Sequence, residues 1–437
     1  MKQNNIFYTF MKYSSLNVLG MIGLSCYILA DTFFVARGLG VNGLTSLNLA
    51  IPIYSFIHGL GLMIGMGGST RYSISKSTHR KNSSSAIFTQ ALQFTIILSL
   101  TLLVIGLFFS NDIARLLGSS DATHTMTNTY LKTILLFSPM FMLNNLFICF
   151  VRNDNNPKLS MYAMLIGSFS NVILDYILIF PLNMGIFGAV LATSIAPMIS
   201  LMVLSLHFLK KKNSFVYIKS RLNIESIKDI FILGISALIT EVSSGIVMII
   251  FNSIILSLLG NVGVAAYGIL ANIALVITSI FTGISQGVQP ILSQNYGTSN
   301  KNNVRKIYSY GIITALICAL ITYIIIFTFS KPIVSIFNGE HNVALEGIAI
   351  RGMHIYFTAF FFTGVNIVTS IYFSSIDNPK LSFIISILRG LILIIPITLL
   401  LASLLGINGV WLSLPITEFI VSLIILYMFY SLPHKNK

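Results

Sequence analysis

The sequence predicts an all-α integral membrane protein of twelve transmembrane helices, arranged as two parallel six-helix repeats. Three observations carry this. Of the 437 residues, 55% are hydrophobic and 9% charged, and the mean hydropathy is +0.88, outside the range of soluble globular chains. Apolar stretches of about twenty residues, each long enough to cross a hydrocarbon core as a helix, follow one another along the chain. Short motifs in the first half return in the second at offsets near 220 residues.

In order, the spans lie at 13–37, 47–71, 86–109, 128–151, 159–181, 186–209, 230–259, 264–294, 307–330, 350–374, 381–403 and 408–430. No soluble domain is left over. The first span carries Asp31 and has no small-residue cleavage site behind it, so it is expected to stay in the mature protein and not to act as a removable signal peptide.

The net charge of +14 would point to nucleic acid in a soluble chain, but its distribution here gives another reading. Lys and Arg crowd alternate connections: Lys2 and Lys12; Arg71, Lys76, Arg80 and Lys81; Arg152 and Lys158; the run from Lys210 to Lys228; Lys301, Arg305 and Lys306; Lys380; Lys435 and Lys437. By the positive-inside rule both termini are cytoplasmic. The basic excess is a topology signal, and no nucleic-acid partner is expected.

The repeat shows in three pairs. Leu39-Gly-Val-Asn-Gly43 returns as Leu259-Gly-Asn-Val-Gly263, Asn156-Pro-Lys-Leu-Ser160 as Asn378-Pro-Lys-Leu-Ser382, and Gly185-Ile-Phe-Gly188 as Gly406-Ile-Asn-Gly409. Six spans per copy give both copies the same orientation, related by an axis along the membrane normal, an architecture used by alternating-access transporters. The expected units are a bundle at 1–209, a basic cytoplasmic linker at 210–229 and a second bundle at 230–437.

Enzymatic chemistry is not expected. Cys26, Cys149 and Cys318 share no disulfide or metal-ligand spacing, and the seven histidines are scattered. His58 and His354 read as satisfied structural groups. No HExxH, GxSxG or phosphate-cradling loop occurs, so neither a cofactor nor ATP hydrolysis is implied.

Four acids fall well inside spans: Asp31, Asp175, Glu241 and Glu418. A carboxylate at the bilayer centre costs about 2.5–3.5 kcal/mol on insertion scales, so it is normally turned into the bundle and used. Met164, Ser168, Asn171 and Asp175 are spaced to share one helix face. Asp31 has Tyr27 one turn earlier, and Asn144 and Thr193 belong to spans within reach of the same lobe. Such hard oxygen ligands suit Na⁺ or a proton better than a transition metal. Two carboxyls brought together in hydrocarbon are able to hold a proton between them near neutral pH. The alternative is that Asp175 and Asn171 only bond helix to helix as structural glue. Glu241 and Glu418 are open between secondary coupling and structural roles.

Several stretches together carry a family resemblance: Ala30-Asp-Thr-Phe-Phe-Val-Ala-Arg-Gly38, Arg152-Asn-Asp-Asn-Asn-Pro-Lys-Leu159, Ser170-Asn-Val-Ile-Leu-Asp-Tyr176, Gly283-Ile-Ser-Gln-Gly-Val-Gln-Pro290 and Ser293-Gln-Asn-Tyr-Gly297. In their order and spacing the chain resembles, over essentially its whole length, the multidrug and toxic compound extrusion (MATE) transporters, and within them the bacterial MepA-like group. The resemblance implies an antiporter in the bacterial cytoplasmic membrane that exports drugs and other amphipathic, often cationic, organic molecules in exchange for H⁺ or Na⁺. One copy can in principle contain the whole pathway, so function as a monomer is expected. The resemblance also implies a cation or proton site at Asp31, Asn171, Asp175 and Thr193, and substrate contacts at Tyr27, Asn144, Met164 and Ser168. Two departures stand out. Glu241 matches the seventh-span glutamate of a second cation site found in some members, but the tenth span offers Thr363 and Asn366 and no acid. Many members carry a first-span proline about where Leu16 stands here. A flippase for lipid-linked precursors is the alternative reading. It would favour cationic residues facing anionic headgroups, and only Arg389 lies deep in a span.

Overall fold

A computed structural model describes residues 6–78, 81–338 and 342–431. Lys2, Arg80, Lys435 and Lys437, and both chain ends on which the topology argument drew, lie outside them. The described residues contain helices and no strand. In order these are α1 (Ile6–Ser77), α2 (Lys81–Leu116), α3 (Asp121–Leu136), α4 (Ser138–Asn153), α5 (Pro157–Ile179), α6 (Gly185–Leu209), α7 (Ile224–Gly297), α8 (Lys301–Phe337), α9 (Val343–Tyr356), α10 (Phe360–Ser375), α11 (Pro379–Ile387), α12 (Ile394–Leu405) and α13 (Ile407–Ser431).

The twelve expected spans map onto these elements. The 72 residues of α1 and the 74 of α7 are each two spans joined at a glycine. Gly40 adopts φ 62°, ψ −156° and Gly260 φ 63°, ψ −155°, a region that residues with a Cβ avoid. These are the glycines of the first repeated motif, and no neighbour crowds either one, so conformation and not space selects glycine there. The fourth span is α3 and α4, bent by 49° where Pro139 opens α4. A 3₁₀ turn at Phe357–Ala359 divides the tenth into α9 and α10. A π-helical turn at Leu388–Ile392 divides the eleventh into α11 and α12, just where Pro396 removes a helical donor and crowds the carbonyl four residues back.

The repeat is also written in the backbone. Asn155 and Asp377 both take positive φ (63° and 60°), followed by Asn156-Pro157 and Asn378-Pro379 opening α5 and α11; Gly185 and Gly406 match at 60° and 58°. Two large apolar cores result. One draws on residues from Val35 to Ile230, the other on Phe251 to Trp411 together with Phe10 and Tyr13 of α1. Outward rows such as Leu320, Ile321 and Ile324 on α8 are exposed, as expected of a surface solvated by lipid chains.

At the end that carries the basic connections, α1 and α7 meet backbone to backbone. A Cβ on Gly234 would lie 1.9 Å from the Met63 carbonyl oxygen, and one on Gly67 2.0 Å from that of Ile230. Small residues at such crossings let helix axes approach closely. Arg71 of α1 then bridges to Asp229 (3.0 Å) and Asp377 (3.1 Å).

The linker differs from its expected bounds. Helix α7 begins at Ile224, so the irregular stretch is 210–223, and it is docked. Phe215 is buried among Tyr72, Phe88, Phe150 and Phe208. The N–H groups of Val216, Ile218 and Asn223 find Ser85, Thr89 and Gln90 on α2. Its anchor is Asp154, which accepts from Tyr72 Oη (2.7 Å), the Ser214 N–H (2.7 Å) and His207 Nε2 (2.9 Å), and pairs with Lys76. The Asn156 amide, oriented by its bond from the Leu159 N–H, donates to His207 Nδ1 at 3.2 Å, which turns Nε2 of the ring towards Asp154.

Burial pushes the Asp154 carboxyl up, but the hydrogen bonds from His207, Lys76 and the Ser214 N–H outweigh it and hold the group down at about 2, against an ordinary 3.8. A depressed carboxyl stabilises the fold above its unfolded pKa and loses that contribution as pH falls through the folded one. Asp154→Asn should therefore cost ~2 kcal/mol or more at neutral pH. Thermal unfolding in detergent should show the gap between variant and wild type closing as pH is lowered from about 4 towards 2; a gap independent of pH would rule out this origin.

Candidate functional site

Helix α5 supplies most of the site. Pro157 and the Asn156 cap start it, and the spacing of Met164, Ser168, Asn171 and Asp175 turns all four inwards, each buried. Asp31, from the first span of α1, lies beside Asp175, close enough for the two carboxyls to act on each other. Two carboxyls brought together in a low-dielectric interior are able to hold a proton between them. The Asn171 amide is oriented with its nitrogen donating to Asp175 Oδ2 (3.0 Å) and its oxygen accepting from the Thr193 N–H (3.2 Å). The opposite orientation gives a 3.4 Å contact to Thr193 Oγ1 but turns oxygen onto oxygen at the carboxyl, which is repulsive.

The structure thus brings together Asp31, Asn171, Asp175 and Thr193, drawn from α1, α5 and α6. It adds Tyr130 of α3, a buried phenol beside Thr193. One oxygen of each carboxyl, Asp31 Oδ1 and Asp175 Oδ1, has no protein partner. Buried acceptors left in this state are costly. The set has the composition to take up a proton or a small hard cation. Among the described residues, no three His, Cys, Asp or Glu side chains converge in the manner of a transition-metal site.

Beside this cluster lies a cavity of about 240 Å³, walled by α1, α4, α5, α6 and α7. Tyr27, Asn144, Met164, Ser168 and Thr193 all line it, whereas Asp31, Asn171 and Asp175 stand behind the wall. Thr193 is shared. The Asn144 Oδ1 has no protein partner, which leaves it available to a bound molecule. Thr240, Glu241, Leu275 and Gln286 contribute from α7, so the cavity lies between the two halves.

Along its wall runs a polar chain that the sequence did not reveal. Tyr27 Oη and Tyr54 Oη are 2.7 Å apart, Tyr54 stacks on His58, and His58 Nδ1 lies 3.4 Å from Glu241 Oε2. Glu418 is elsewhere. It is buried in the second half, held by Arg389 (2.7 Å) and by Asn366 (2.6 Å). The acid beside Asn366, missing from the tenth span, is therefore supplied by α13, with an internal guanidinium already against it. His354 sits against Ser330 Oγ at 3.2 Å.

Twelve spans in two repeated halves around a central cavity define the architecture of a membrane transporter. The MatE family model matches residues 18–177 and 235–400, one stretch in each half, and the chain belongs to this family. It is 26% identical to the multidrug export protein MepA of Staphylococcus saprophyticus over 437 residues, covering 99% of this chain and 95% of that one. Identity to MepA of Staphylococcus aureus strain MRSA252 is also 26%, over 435 residues and the same shares. Among solved structures, an outward-facing multidrug resistance MATE family transporter of the MOP superfamily superposes with a TM-score of 0.90 at 23% identity, covering 97% of this chain and 94% of that one. A MOP superfamily transporter from Pyrococcus furiosus gives 0.89 at 22%, with the same coverage.

Removing one partner of a buried ion pair is far costlier than removing both. Arg389→Met alone should destabilise the protein by about 3–5 kcal/mol, and Arg389→Met with Glu418→Gln should recover much of that loss. Unfolding in detergent measures both; additive losses would contradict the pairing.

Proposed function

We propose that this chain is a secondary active multidrug efflux antiporter that exports amphipathic, often cationic, organic compounds in exchange for H⁺ or Na⁺ by alternating access, with Asp31, Asn171, Asp175 and Thr193 as the coupling site. The observation that carries the reading is the buried pair of carboxyls, each with a free oxygen, set directly behind the wall of an inter-bundle cavity. The names of the relatives support the export of drugs. In this reading the substrate contacts are Tyr27, Asn144, Met164 and Ser168. The basic end is cytoplasmic, the bundles 1–209 and 230–437 rock against each other, and one copy contains the whole pathway.

The first span of α1 has the contacts of a lever. Asp31 joins it to α5 of the first half. Ser25 Oγ, 2.9 Å from Ser279 Oγ, and Asn17 Nδ2, donating to the Gly283 carbonyl at 3.0 Å, join it to α7 of the second. With an ion or proton bound, the two carboxyls hold α1 against α5. When it leaves, like charges face each other in a low-dielectric interior and push the helices apart. No proline at Leu16 is needed for this motion. Substrate is released outside as the outward-facing site fills, and the ion then departs inwards. One charge moving through 100 mV supplies about 2.3 kcal/mol, enough for an export gradient of some tens-fold.

Vesicles loaded with a fluorescent cationic dye test this, with pH and Na⁺ gradients imposed separately. Wild-type protein should export dye under one of them, and Asp175→Asn should fall to the level of protein-free vesicles while keeping its fold. A variant that retains full ion-driven export would falsify the assignment.

A further inference from the structure

Arg152 reads in the sequence as one of the basic residues of a connection. The structure corrects this: the side chain is fully buried at the end of α4, between α1 and α7. Nη1 donates to Asn17 Oδ1 (2.7 Å) and Gln286 Oε1 (3.0 Å). Nη2 meets only sulfur, Met66 Sδ at 3.4 Å and Cys149 Sγ at 3.6 Å, and Nε has no partner. Among the described residues no carboxylate touches this guanidinium. The nearby Asp154 is committed to Lys76 and His207. The carbonyl end of α4 offers partial negative charge, which is not a counter-ion. A buried cation in this state is expensive.

The pattern of satisfied and unsatisfied atoms is directional. Asn17 and Gln286 hold Nη1 and so fix the plane of the group. The edge left without an oxygen acceptor is Nε with Nη2, the edge on which a guanidinium makes two parallel bonds to a carboxylate. One layer of side chains separates it from the central cavity, since Cys149 and Gln286 are both in contact with Arg152 and part of the cavity wall. Met66 and Cys149 are soft, weakly bonded groups, and the flexible thioether repacks at low cost.

We infer that the floor of the cavity, towards the basic end, holds a subsite for a carboxylate of the substrate, received by the Nε and Nη2 edge of Arg152 once Met66 and Cys149 move aside. This rests on the transporter reading and narrows it. Besides simple cations, the cavity takes zwitterions whose apolar, cationic body lies against Met21, Leu24, Phe141 and Met164 and whose carboxylate reaches the floor. A phosphate monoester fits less well. It brings more charge, and among the described residues the cavity wall itself carries no Lys or Arg.

Rhodamine B and its ethyl ester share one cationic ring system and differ in the free carboxylate, so they isolate the subsite. Binding to the purified full chain is read by fluorescence anisotropy. Wild-type protein should bind the acid in preference to the ester, and Arg152→Gln should lower the acid-to-ester affinity ratio at least about tenfold. Arg152→Lys, which keeps the charge but not the two-toothed edge, should lower it too. If the glutamine variant does not fold, the lysine variant and the wild-type preference still decide. A wild-type preference for the ester, a ratio unmoved by either substitution, or no saturable binding of the acid overturns the inference. Failure of the ester to be exported from vesicles tells instead against the antiporter reading.

Discussion

Inside a bilayer a polar group has no water to fall back on, so each must be satisfied by the protein or be available to something the protein binds. This constraint orders the buried polar groups of the structure. Thr, Ser and Asn side chains mostly close their bonds within the bundle, as Ser370, Ser382 and Ser386 do among themselves. Glu418 is met by Arg389 and Asn366. Among the buried side-chain atoms left without a protein partner are Asp31 Oδ1, Asp175 Oδ1, Asn144 Oδ1 and Arg152 Nε. All four lie on or immediately behind the wall of the central cavity, where a protein that binds and releases its cargo is expected to leave capacity unused.

The two halves treat their intramembrane acids differently. In the first, two carboxyls lie side by side, and among the described residues no Lys or Arg pairs with either. In the second, Glu418 carries its own counter-ion on the π-helical turn of the eleventh span, where the widened helix places Arg389. The halves share a backbone plan down to the positive-φ residues at matched positions, so the contrast lies in side chains on a common frame. In the proposed mechanism the first half is therefore the responsive one, and the second supplies the surface against which α1 moves.

Much of this was legible locally. Spans follow from hydropathy, the double breaks at Gly40 and Gly260 from a repeated glycine motif, and the inward face of α5 from spacings of three and four. What was hidden depends on contacts remote in sequence. Nothing near Tyr130 marks it as a neighbour of Thr193, and nothing near Tyr54 or His58 announces a chain ending at Glu241 on α7. Asn366 lacked an acid in the sequence because its partner comes from two spans later. Arg152 misled for a different reason: a basic residue beside an Asn-Pro turn reads as solvated, and only the packing of α1 and α7 over it shows that it is enclosed.

In the proposed mechanism Asp31 and Asp175 hold a proton between them that cargo or ion exchange displaces. Infrared difference spectroscopy of the purified protein reads this at the carboxyl group itself. A protonated-carboxyl band should be present, be lost when the pH is raised or the transported dye binds, and disappear in both Asp31→Asn and Asp175→Asn. A band unaffected by either substitution, or by dye and pH in the wild type, would contradict it.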